Sequence, residues 1–124
     1  MYSIDELKEK AKKMQEFLEK KSGSEPNDLI ERAETLIVLI AQSGNCLADA
    51  KYVQDKAIGD AIQKAINLGY TAQLTPSAVN QFVKSEAKEL NYLVNTFDRI
   101  NATATHALDG VRSMLSYRKS EMNL

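Results

Sequence analysis

PNDLIERAETLIVLIAQSGNCLADAKYVQDKAIGDAIQKAINL, residues Pro26 to Leu68, decides the fold. Proline opens the stretch at a first helical position, where its missing N–H had no partner to lose, and Ser24 or Glu25 precedes it as the cap. Leu29, Ala33, Leu36, Ile40 and Leu47 recur on one helical stripe. Val53, Ala57, Ile58, Ala61, Ile62, Ala65 and Ile66 carry a wider stripe to the end, where Gly69 is suited to cap the C-terminus. Leu36 to Ala41 is apolar on every side, so the helix is expected to be surrounded there. The small residues between Ser43 and Ala48 allow close helix approach. Gly44 and Gly59 each cost about 1 kcal/mol relative to alanine inside a helix, and either could mark a bend or break.

A second long rod follows. Thr75-Pro76 is a cap with proline at the first position. Val79, Val83, Leu90, Leu93, Phe97, Ile100, Ala104, Leu108, Val111 and Leu115 then hold a near-heptad spacing. Nothing stronger than Gly110 interrupts it before Glu121, which predicts one helix roughly 65 Å long. Upstream, Ser3 and Glu6 match a capping box, and Ile4, Leu7, Ala11, Met14 and Leu18 form a narrow stripe that stops at Lys21-Ser22-Gly23-Ser24. Glu6 with Lys10, Glu9 with Lys13 and Glu16 with Lys20 are glutamate-before-lysine pairs four apart, which makes the lysine-rich segment mostly a solvated face rather than a basic docking surface.

The reading is therefore all-α, in one domain, with helices over about 3–21, 26–68 and 76–121. The short N-terminal helix packs on a long antiparallel two-helix hairpin to make a coiled-coil-like bundle. Folding the hairpin about residue 72 sets the small stretch 43–48 against the bulky Val94, Phe97 and Ile100, a size match that lets helices interdigitate. The first helix, folding back about residue 23, is expected to reach only Ser43, leaving the hairpin uncovered beyond about residue 50 and before about residue 95. Val53, Ile58, Ile62, Ile66, Val79, Phe82, Val83 and Glu86 fall at that bare end. Apolar patches of this kind mark interaction sites, so the end is expected to be an oligomer interface, in a homodimer or higher assembly. Glu86, in mid-stripe, is expected to find its partner on a second chain.

Composition bounds the function. Net charge −1 disfavours an electrostatic nucleic-acid binder. Cys46 and His106 each stand alone in their type, so neither a disulfide framework nor a usual zinc set is on offer. The N-terminus lacks a signal-peptide pattern, and the longest apolar run, Leu36 to Ala41, is too short to span a bilayer, which points to a cytoplasmic protein with no membrane role. No phosphate-cradling glycine loop, nucleophile elbow or paired glutamate–histidine motif occurs, so the reading is a non-enzyme without cofactor or metal.

The candidates for ligand or partner binding are polar. Asp98, Asn101, Thr105, Asp109 and Arg112 follow three- and four-residue spacing and could line a groove for a small anionic ligand. Arg99 and His106 lie among them. Lys51 beside Tyr52 could stack a base, as could Tyr92 or Tyr117 near Arg99 and Arg118. Against this stands the plainer reading of a solvated face. Lys51, Gln54, Glu86, Asn101 and Thr105 interrupt apolar stripes, where such residues commonly fix register and oligomer state.

Two segments, Glu31-Arg32-Ala33-Glu34-Thr35-Leu36 through Leu47-Ala48-Asp49-Ala50-Lys51-Tyr52 and Asn91-Tyr92-Leu93 through Asp98-Arg99-Ile100-Asn101 to Leu108-Asp109, resemble small all-helical proteins of bacteriophages and prophages of gut bacteria. The resemblance carries no activity. It implies a phage accessory protein, placed in the host cytoplasm, that works by binding a host or phage partner. One such role is counter-defence, by sequestering a small nucleotide signal or blocking a host defence complex; another is assistance in DNA replication or recombination.

Overall fold

The computed structural model describes residues 1–69 and 75–122. They form four helices: α1 (Ile4–Glu19), α2 (Pro26–Asn67), α3 (Pro76–Glu86) and α4 (Lys88–Met122). The turn expected near residue 72 lies outside the described residues. Ser3 caps α1 by accepting a hydrogen bond from the Glu6 N–H, at 3.2 Å, and Thr75 caps α3 by accepting from the Ala78 N–H at the same distance. Past α2, Gly69 adopts φ +71°, the left-handed conformation that glycine takes at no steric cost.

α2 runs unbroken through Gly44 and Gly59, some 42 residues and roughly 63 Å. The second rod does break. Ala87, 1% exposed, leaves helical geometry at φ −97°, ψ 6° and separates α3 from α4. Neither proline nor glycine is present to announce this hitch. Lys8, about one turn into α1, forms a salt bridge with Glu89 just past this point. Before it, α3 packs on the small side chains Ala61 and Ala65 of α2, both buried.

The all-α architecture is as expected: α2 and α4 form an antiparallel pair with α1 on one side. The core unites Leu7, Ala11 and Met14 of α1, Leu29, Leu36, Leu39 and Cys46 of α2, and Leu90 to Val111 of α4, around a fully buried Phe97. Polar contacts fix the register. The Asn101 amide donates to the Ile40 carbonyl at 3.0 Å and to Ser43 Oγ at 2.9 Å, while Gln54 donates to Asn91. Ser43 with Asn101, and Gln54 with Asn91, are pairings that centre on residue 72, in line with the predicted fold-back.

α1 reaches farther than predicted. The Tyr2 N–H donates to Asp49 at 3.2 Å, and Arg32 donates to the Phe17 carbonyl at 3.2 Å while stacking 4.0 Å from the Phe17 ring centre. These pairings pivot near residue 25 rather than 23. Residues 20–25 are non-helical, and non-helical chain covers more distance per residue than a helix does. The predicted full enclosure of residues 36–41 does not occur. Ile37 and Val38 remain 52% and 54% exposed, because α1 shields only one flank of α2. Among the described residues no helix is long and apolar enough to cross a membrane.

Phe97→Ala is expected to cost about 3–5 kcal/mol in urea unfolding. Asn101→Ala, which breaks the interhelical amide contacts but leaves the Ser43 hydroxyl bonded to the Ile40 carbonyl at 3.0 Å, is expected to cost only about 1–2 kcal/mol.

Candidate functional site

The end of the hairpin beyond α1 is thinly covered among the described residues. α3 contains no buried residue, and its Val79, Phe82 and Val83 are half-buried. On the neighbouring part of α2, Ile58 is half-buried, while Ile62, Ile66 and Leu68 are 44%, 50% and 53% exposed. Ala61 and Ala65 are buried there. Of the residues placed at the bare end by sequence, Val53 is half-buried against the main core instead, and the other apolar ones are partly in water. Glu86 corrects the reading. It is exposed, and its Oε1 lies 3.4 Å from Lys64 Nζ of the same chain. Lys64 also lies over the Phe82 ring, 5.9 Å from its centre, so its aliphatic stem shields part of α3.

A second uncovered surface escaped the sequence reading. Ile30, Ile37, Ala41 and Ala48 are exposed on α2 and recur at spacings of seven, four and seven. This heptad-like line continues through Asp55 to Ile62 and Ile66. α1 packs on the other flank of α2, where Thr35, Val38 and Gln42 border Met14 and Phe17. The signal was present in the spacing. It was hidden because Ile37 and Ala41 sit in the segment 36–41, apolar enough to be assigned wholly to the core, and Ile30 was left off the main stripe.

The polar candidates do not converge. Asn101 is half-buried and engaged with α2. Thr105 is exposed rather than set in an apolar stripe, and its hydroxyl donates to the Asn101 carbonyl at 2.9 Å. Asp109 and Arg112 approach to 3.9 Å, both about two-thirds exposed. Asp98 and His106 are exposed. Arg99 turns to the opposite flank, toward α1. There it lines a groove of about 410 Å³ with Gln15, Glu19, Tyr92, Thr96 and Thr103. Lys51 and Tyr52, both exposed, lie level with residue 93 in the hairpin register, roughly 28 Å along the axis from Arg112. One ligand cannot touch them all.

Cys46 is the free thiol, 1% exposed in the core. Burial pushes its pKa above the ordinary value of 9.0, with a smaller opposing pull from Lys10 and a push from Asp49. It is a packing residue, not a poised nucleophile. No protein-family model, curated protein or solved structure matches the chain.

Native Cys46 is expected to react with a thiol reagent on the order of 100-fold or more slowly than the denatured chain. The sign of the pH effect follows from the raised pKa. Above its ordinary 9.0 the unfolded thiol gives up its proton while the folded one keeps it. This contribution therefore leaves stability flat below about pH 8 and erodes it as pH rises through 9. A Cys46→Ser variant, compared by urea titration from pH 7 to 10, should lose that part of the alkaline decline.

Proposed function

We propose that this protein is a non-catalytic, self-associating helical binding protein, with the apolar end of its hairpin as the contact surface. The observation that carries the reading is the state of that end: an eleven-residue helix with no buried residue, lying beside Ile62 and Ile66, which are half in water. Full burial of such side chains contributes about 1.5–3 kcal/mol each. Several of them together offset part of the entropy lost on association. A second chain is the simplest cover, because a symmetric pair satisfies both bare ends at once. The resemblance to phage helical proteins adds a setting, the host cytoplasm, and a manner of action, binding a host or phage protein.

A second reading, the capture of a small nucleotide, is favoured by one juxtaposition: Tyr92 and Arg99 border the same groove beside α1. An aromatic face and a guanidinium can hold a base and a phosphate. Glu19, on the same rim, opposes an anion, which ranks this reading second. A nucleic-acid role is ranked third on the charge balance.

Ile62→Glu is expected to lower the molar mass measured by light scattering to that of one chain while the helical circular dichroism stays within about a tenth of the parent's. Phe82→Glu should act the same way with some loss of stability, since it also disturbs the Lys64 contact. A parent protein already monomeric at high micromolar concentration would remove self-association. A nucleotide-dependent rise in melting temperature, abolished by Arg99→Ala, would put the second reading first.

A further inference from the structure

The exposed line along α2 has an internal order that the bare end alone does not explain. Written from one end it runs Ile30, Ile37, Ala41, Ala48, then Asp55 and Gly59, then Ile62 and Ile66, all exposed. Bulky residues occupy both ends and small ones the middle. Laid antiparallel on a copy of itself with Ala48 at the centre, most of the line meets a residue of fitting size. Ile30 meets Ile66, Ile37 meets Gly59, Ala41 meets Asp55 and Ala48 meets Ala48, while Ile62 falls against the exposed Glu34 beside the line. The parallel alternative sets Asp55 on Asp55 and Gly59 on Gly59, which joins like charges and leaves a void.

Gly59 is compatible with this pairing. A Cβ built on it meets nothing within 4 Å among the described residues of its own chain, and its missing side chain leaves room for a facing Ile37.

We infer that two copies of this chain associate through the outer line of α2, antiparallel, with a twofold axis passing beside Ala48. The inference rests on the self-association proposed above and specifies its geometry. Each chain's Ile66, at its bare end, is then covered by the base of the other's α2, not by the other's bare end. The area is sufficient. The line from Ile30 to Ile66 spans roughly 54 Å, and a contact strip about one helix diameter wide removes roughly 540 Å² per copy, or about 1,080 Å² in all, just above the ~1,000 Å² that a specific interface needs. Charge permits it. Each chain carries a net charge of only −1, and the two Asp55 carboxylates stand roughly 21 Å apart along the axis.

Disulfide trapping with the full chain tests this. Ala48→Cys, next to the axis, is expected to convert more than half of the protein to a disulfide-linked dimer under mild oxidation, while the parent, whose Cys46 is 1% exposed, stays reduced. Ile30→Cys alone should not link to itself but should link to Ile66→Cys when the two variants are mixed. Ile37→Glu should weaken dimerisation at least tenfold in sedimentation. A dimer by light scattering in which Ala48→Cys stays reduced and Ile37→Glu is neutral overturns this geometry and leaves the self-association reading standing. A parent that is monomeric at high micromolar concentration overturns both.

Discussion

The structure depends on the register between α2 and α4, held at one place by a single amide. Asn101 reaches across the hairpin to the Ile40 carbonyl and the Ser43 hydroxyl. An apolar seam alone tolerates a slip of one heptad, because leucines and alanines exchange neighbours at modest cost. A half-buried amide that finds the Ile40 carbonyl and the Ser43 hydroxyl in one register and would lose both on a slip does not. Once this contact is set, Phe97 falls among small neighbours, Gln54 meets Asn91, and α1 has a groove of fixed shape to enter.

α1 then divides the hairpin into two unequal parts. Over its length there are three helices and a complete core from Leu7 to Leu108. Past Lys8 and Glu89 there are two, and a pair of helices cannot enclose its own apolar side chains. The burial pattern records this: Leu7, Leu36 and Phe97 are fully covered, while Ile62 and Ile66 are not. The alanines at 57, 61 and 65 bring α3 close to α2. Close approach gains dispersion contact but does not replace the missing third wall.

Much of this was legible in the sequence. The caps at Ser3 and Thr75, the prolines at 26 and 76, and the stripe spacings give the helix starts and the faces that pack. The fold-back about residue 72 came from matching small residues to large. What was not legible has tertiary causes. The hitch falls at Ala87, and alanine carries no sign of it. The true reach of α1 depended on how far residues 20–25 extend. Ile37 and Val38 read as core because apolarity says what a side chain prefers, not whether the chain has enough helices to oblige it. Among the polar candidates, spacing put residues on a common stripe but could not say that Asn101 was already engaged or that Arg99 faced the other way.

The interruption at Ala87 turns the backbone without cutting it. The Ala87 N–H still donates to the Val83 carbonyl at 3.1 Å, and the Asn91 N–H to the Ala87 carbonyl at 2.9 Å. One residue off helical geometry thus divides the second rod into eleven residues and thirty-five, while its own amide and carbonyl keep their hydrogen bonds.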